Sequence, residues 1–304
     1  MGWQGGAILA LASAFVTNLG FLWRHRGAVN APDVDVRRPL RSAIDLFKSK
    51  WWTIGYVAAI VAWLLHVGAL AMAPLSIVQS ALAGGFVFLA VLAERFFGFE
   101  LGRREWGGVL LAAAGLAFLA GTAGQVDNKQ SEYDLLPLIA FEAGMVLIGA
   151  LMIVGQRGRF NDGAWAGVLL GAGAGALFTV THVGLKALTN DVKGPLDLIS
   201  PWTLVIVVAA VVAFFASARS LQIGRAVPVI AATSIAGNAT AILAGVIVFG
   251  DPVGESPLLA TLRIAAFALV IVAAGLMPGP VRAAGETQRR ERGASKGTPE
   301  PAPG

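Results

Sequence analysis

The chain has 304 residues, of which 56% are hydrophobic and 13% charged, with a formal net charge of +5. A soluble surface draws on about 25% charged residues, so a chain with half that supply turns most of its surface to lipid, and a soluble enzyme is excluded. Cys is absent, which removes disulfides, thiolate metal sites and Cys nucleophiles. The three His (His25, His66, His182) are too few and too scattered for a zinc cage.

A helix that crosses a bilayer core of about 30 Å needs about 20 mostly apolar residues. The chain offers about nine such runs: 3–23, 53–73, 75–94, 105–123, 135–155, 163–182, 202–219, 226–249 and 258–278. They are continuous rather than alternating, which predicts an all-α polytopic membrane protein and not a barrel. The first run has no basic residue before it and Arg24, His25 and Arg26 after it, the reverse of a cleaved signal. Residues 27–50 read as a basic loop in which Ser42–Lys50 is a candidate interfacial helix. Pro74 marks either a tight turn between two spans or a kink in one. Residues 283–304, rich in Gly, Pro, Arg and Glu, read as a disordered tail that anchors topology.

Basic residues concentrate on the cytoplasmic side of membrane proteins. With the N-terminus outside, the cytoplasmic segments are 24–52, 95–104, 156–162, 219–225 and 279–304. These hold all 23 Lys and Arg except Lys129, Lys186, Lys193 and Arg263. The outside segments carry Asp127, Glu132, Asp134, Asp191, Asp197, Asp251 and Glu255 instead. A plasma-membrane protein with an outer N-terminus and a cytoplasmic C-terminus is predicted. The net positive charge is a topology signal and implies no nucleic-acid partner.

One layout occurs twice. Ala69–Pro74, a span, Phe97-Gly98-Phe99-Glu100 and a further span to Gly115 parallel Ser220–Arg225, a span, Val248-Phe249-Gly250-Asp251 and a further span to Gly275. Glu100 and Asp251 are 151 residues apart, as are Ala69 and Ser220. Glu100 falls inside and Asp251 outside, so the two halves are inverted, an architecture common in secondary transporters. The division expected is 1–123 with four spans, 124–282 with five, and the tail 283–304.

Polar residues within hydrocarbon are costly, and each is a candidate for the substrate pathway. Glu142 is the sharpest: it binds a cation or carries a proton, or else it reaches the interface or pairs with a neighbour. Arg263 either snorkels or pairs with Asp251, Glu255 or Glu142. Asn18, Gln79 and Asn238 each offer a carbonyl oxygen to a hard cation, or serve as glue between helices. His66 and His182 are buried neutral imidazoles or pathway residues, and Trp63, the one Trp inside a span, lines a cavity or packs. Gly167, Gly171 and Gly175 repeat at four-residue intervals and predict a close helix contact, as does the strip Gly237, Ala241 and Gly245. Nothing resembles a phosphate-binding Walker loop, so ATP-driven pumping has no support.

Ala69-x-x-x-Ala73-Pro74, the span after it, Glu100, Gly107 and Gly115 resemble the hairpin of the drug/metabolite transporter superfamily. Ser220-Leu221, Pro228, Asp251 and Gly275 resemble it again. That superfamily usually has ten spans, and this chain lacks one in its first half. Nine spans, with Trp51-Trp52-x-x-Gly55 leading into Ala73-Pro74-Leu75, look more like the NIPA-type magnesium transporter branch. The resemblance implies a transporter, with Mg²⁺ or another divalent cation as one substrate class; the inverted halves predict alternating access, and Glu142 is the candidate metal ligand among the intramembrane residues. A small organic metabolite or amphiphile is the alternative solute, and a non-transporting membrane scaffold a third reading. No cofactor is implied. The partners are the bilayer and a small solute or cation, and pairing into a homodimer stays open.

Overall fold

The computed structural model describes residues 3–35, 37–72, 75–122, 133–155, 163–191, 200–250 and 256–276. Ten helices fill them: α1 (Trp3–Val29), α2 (Pro39–Lys48), α3 (Lys50–Met72), α4 (Leu75–Phe97), α5 (Arg103–Thr122), α6 (Leu135–Gly155), α7 (Gly163–Asp191), α8 (Pro201–Ile223), α9 (Ala226–Val248) and α10 (Pro257–Leu276). Nine of these have 20 to 29 residues and match the nine apolar runs in order. Six of them, α1, α3, α6, α7, α8 and α9, are long and apolar enough to cross a membrane, and α10 adds a shorter apolar stretch, Pro257–Ala273. The chain is a multi-pass, all-α membrane protein.

Several boundaries differ from the sequence reading by a few residues, and three of these differences bear on named residues. Helix α1 runs to Val29, so Arg24, His25 and Arg26 are helical rather than loop residues. Helix α2 starts at Pro39, three residues before the expected Ser42, because proline suits the first turn, where its missing N–H costs nothing. Helix α7 continues past His182 to Asp191. Met72 ends α3 and Leu75 begins α4, while Pro74 and the tail 283–304 lie outside the described residues.

The outer surface is aliphatic: on α3, Ile54, Val57, Ile60 and Leu64 are exposed, and on α8, Leu204, Val207, Val208 and Val211. The interior is built from small side chains, Ala above all, as it must be where lipid is no less apolar than Leu and close packing drives association. Helix α1 packs on α3 and α4, and α7 packs on α8 and α9 in the same manner; α4 and α10 both pack on α5, and α6 lies on α7. Lengths repeat as well: α3 and α8 have 23 residues each, α4 and α9 have 23, and α5 and α10 have 20. Helices α4 and α9 both end at a glycine with φ +67, Gly98 and Gly250. Only glycine adopts that conformation without steric cost. These glycines are 152 residues apart, one more than the 151 that separates Phe97 from Val248 and Glu100 from Asp251, so the glycine sits one place later in the second turn.

The glycine strip of α7 is a contact face, as expected. A methyl group at Gly167 would overlap the Gly224 backbone. At Gly171 it would lie 2.8 Å from the Thr233 hydroxyl, and at Gly175 it would collide with the Thr233 carbonyl. The Thr179 hydroxyl locks the same contact, 2.6 Å from Thr240 Oγ1 and 3.0 Å from the Gly237 carbonyl. Helix α1 interlocks with α3 likewise: a methyl at Gly20 would lie 3.0 Å from the Gly55 carbonyl oxygen.

Gly175→Leu is expected to destabilise the purified protein by about 2–4 kcal/mol through overpacking against backbone that cannot retreat. Gly144→Ala, with nothing within 4 Å of the added methyl, should stay within about 0.5 kcal/mol of wild type. Thermal unfolding in detergent reads both.

Candidate ion-binding site

Glu142 lies two turns into α6, between Phe141 and Gly144, on the side that faces α7. It is 4% exposed, and neither carboxylate oxygen has a hydrogen-bond partner. Its flanking residues Leu138 and Phe141 pack with Val183 and Ala187 of α7 and with Ala244, Val248 and Phe249 at the end of α9. Gly184 of α7 lies beside the carboxylate in a tight contact: a methyl there would sit 3.7 Å from Glu142 Oε1 and only 2.9 Å from Ile206 of α8. A bare carboxylate in such surroundings costs several kcal/mol. Protonation, or a cation beside it, is what relieves such a cost.

The remaining sequence candidates do not converge on Glu142. Asn18 of α1 donates to the Ala14 carbonyl at 2.8 Å and to the Gly85 carbonyl of α4 at 2.9 Å, which is the role of glue between helices. Asn238 is exposed and donates to the Ser234 carbonyl of its own helix at 2.9 Å. Trp63 is 62% exposed on the outer face of α3, with Leu64 beside it, and lines no cavity among the described residues. His182 is exposed on α7. His66 of α3 is half-buried, and its Nδ1 is enclosed without a partner. Arg263 of α10 donates from Nε to the Thr122 hydroxyl at 3.1 Å, tying α10 to the end of α5 rather than pairing with Glu142. Gln79 lies on α4, and its side chain falls outside the described residues, as do Asp251 and Glu255. No group of three His, Asp or Glu side chains gathers among the described residues.

Two charged groups were missed in the sequence. Glu105, 3% exposed near the start of α5, accepts the Gly102 N–H at 2.8 Å and pairs with Arg225 at 2.5 Å; Arg225 also donates to the Glu100 carbonyl at 3.2 Å. Arg225 opens α9, so this contact fastens α5 to α9. Beside it, Arg219 bonds Asp33 at 2.7 Å, and Gln222 donates to the Ala28 and Pro32 carbonyls at 3.2 and 3.0 Å. Segments 24–52, 95–104 and 219–225, which charge bias places on one side of the membrane, therefore meet at one end of the bundle. The second missed group is Arg24, whose guanidinium lies over the Phe21 ring at 4.1 Å and the Tyr56 ring at 5.2 Å, with Nε buried and unpartnered. A local signal for Glu105 exists, since it stands three residues after Gly102 as a capping carboxylate does; its partner, 120 residues away, leaves none.

Over 258 residues the chain is 26% identical to a protein of Arabidopsis thaliana named as a probable magnesium transporter, NIPA9, covering 82% of this chain and 74% of that protein. It is also 31% identical over 185 residues to an uncharacterized protein of Corynebacterium glutamicum, covering 59% of this chain and 61% of that one. No protein-family model and no solved structure matches the chain.

Arg225→Ala strands the Glu105 carboxylate in a buried position. The expected loss is about 2–3 kcal/mol, less than for a fully buried pair because Arg225 is partly exposed. Adding Glu105→Gln should recover part of it, and the coupling in a double-mutant cycle of thermal unfolding measures the pair.

Proposed function

We propose that the chain is a transporter that carries Mg²⁺ or another divalent cation across the plasma membrane. The observation that carries this reading is Glu142: a buried carboxylate with both oxygens unpartnered among the described residues. The similarity to a named probable magnesium transporter across 82% of the chain supports it. Mg²⁺ sheds water reluctantly and is commonly held through one or two carboxylates with several waters retained, so a lone Glu is an adequate anchor for a partly hydrated ion.

The architecture is read as two inverted halves of the drug/metabolite transporter type. Helices α1, α3, α4 and α5 correspond to α7, α8, α9 and α10, with α6 as the additional span. The matched helix lengths, the repeated packing pattern and the glycine-terminated α4 and α9 support this division. If all nine long helices cross, α1 and α7 run in opposite directions, which is what inversion requires. The charge bias puts the Arg225–Glu105 end in the cytoplasm and the N-terminus outside. Glu142 then lies nearer the outer face, and the ion gradient or the membrane potential drives entry.

A second reading, transport of a small organic solute, rests on the shortage of acidic and imidazole ligands around Glu142. Both readings are tested with purified protein in proteoliposomes under an inside-negative potential, using an internal Mg²⁺-sensitive dye. Protein-dependent entry is expected, and Glu142→Gln should lower it by about tenfold or more while leaving the unfolding temperature near wild type. Entry unchanged by Glu142→Gln would remove Glu142 from the path. No entry with correctly folded wild type would end the Mg²⁺ reading and favour the organic solute.

A further inference from the structure

Helix α2 lies across the ends of α1 and α3 and has three distinct faces. Ser42 and Leu46 are buried against the protein. Leu40, Ile44 and Phe47 are 80%, 58% and 46% exposed and share a second face. Arg41, Asp45 and Lys48 form the third, where Asp45 is engaged by Lys48 at 2.7 Å and approached by Arg41 at 3.9 Å. The hydrogen bond from Lys48 holds the Asp45 carboxyl below its ordinary range. An exposed aliphatic face beside a basic one is the pattern of a helix lying in the membrane interface. Phe47 seats this helix on the bundle, stacking on Phe214 of α8 at 6.3 Å and on Tyr56 of α3 at 5.3 Å.

The cations around α2 exceed what the protein neutralises. Arg26 and Lys50 lie over the Trp51 ring, at 4.4 and 5.6 Å from its centroid. Neither has an acidic partner among the described residues, nor do Arg37 and Arg38. Arg26 also borders an open cleft of about 330 Å³ between the ends of α1 and α4, whose walls include Asn30, Val29 and Phe96. Val29 is 53% and Phe96 74% exposed. Unpaired cations and an amide thus stand above aliphatic and aromatic walls at the margin of the lipid-facing spans.

We infer that this surface holds anionic phospholipid, with the headgroup phosphate between Arg26 and Lys50 at Trp51, the arginines 37, 38 and 41 over neighbouring headgroups, and acyl chains along Val29, Phe96 and the exposed face of α2. The charge of the surface selects the acidic lipid; its apolar walls select lipid over free anion. Each basic side chain near an anionic membrane surface favours binding by about fivefold, so the surface discriminates by charge and not by chain alone. The inference needs only that the chain spans a bilayer and does not rest on the proposed cation transport.

The test is native mass spectrometry of the full-length protein in detergent, titrated with phosphatidylglycerol or with phosphatidylcholine of the same acyl chains. Wild type is expected to retain phosphatidylglycerol at least about tenfold more strongly. Arg26→Gln with Lys50→Gln, and separately Arg37→Gln with Arg38→Gln and Arg41→Gln, should each reduce that preference by about tenfold, whereas lysines at 37, 38 and 41 should keep it within about threefold. Unfolding temperature checks that each variant is intact, and the lysine variant reports on charge where a glutamine variant fails to fold. Equal retention of the two lipids by wild type, or an undiminished preference in the glutamine variants, overturns the inference. Displacement of phosphatidylglycerol by millimolar inorganic phosphate overturns it too, since the site would then be one for a free anion.

Discussion

The approach of α7 to α9 sets the geometry of everything around Glu142. In hydrocarbon no hydrophobic force draws helices together, so their association depends on how near their backbones come. Gly167, Gly171 and Gly175 let α7 touch backbone on Gly224, Val229 and Thr233. No side chain separates the helices along that line, and the Thr179 hydroxyl fixes their register against Gly237 and Thr240. Helix α7 is also the helix on which α6 and α8 lie. The position of Gly184, two and a half turns beyond Gly175, is therefore inherited from that glycine contact, and with it the close approach of α7 to the carboxylate.

The two ends of the bundle are closed by different chemistry. At one end the ties are charged and amide groups, with Arg225 on Glu105, Arg219 on Asp33 and Gln222 on the carbonyls after α1. At the other, among the described residues, Tyr133, Trp202 and Phe249 pack with aliphatic residues, and Arg263 bonds the Thr122 hydroxyl. Charged ties are directional and lose their strength once water enters between them. Apolar contacts tolerate sliding.

Much of the fold was legible because membrane spans announce themselves by length: the runs beginning at 75, 135, 163 and 226 coincide with α4, α6, α7 and α9 at their first residues. Ends were less legible, because a helix is free to continue beyond hydrocarbon. Arg24 looked like a loop cation, yet α1 carries it on among Phe21 and Tyr56, where its charge rests on ring faces. The candidate site was legible only in part. Glu142 stands out as the one carboxylate within a purely apolar run, a signal that needs no partner. Trp63 and Asn238 sit at mid-span in the sequence, but α3 and α9 are apolar on every side, so no periodicity tells which way a residue points. The amide of Asn18 is spent on a carbonyl 67 residues away, a pairing visible only once α1 and α4 are side by side.

Under the proposed division into inverted halves, helix α6 has no equivalent among the four long helices that precede it, and Glu142 is not duplicated. Pseudo-symmetric proteins often present paired sites, one from each half, which share a ligand at the axis. Here the acidic group belongs to one half alone. The consequence is a stoichiometry of one compensated charge per chain at this position. If Glu142 lies on the proposed path, an ion or proton reaching it from one side travels a shorter apolar distance than one reaching it from the other, so the two approaches have unequal barriers.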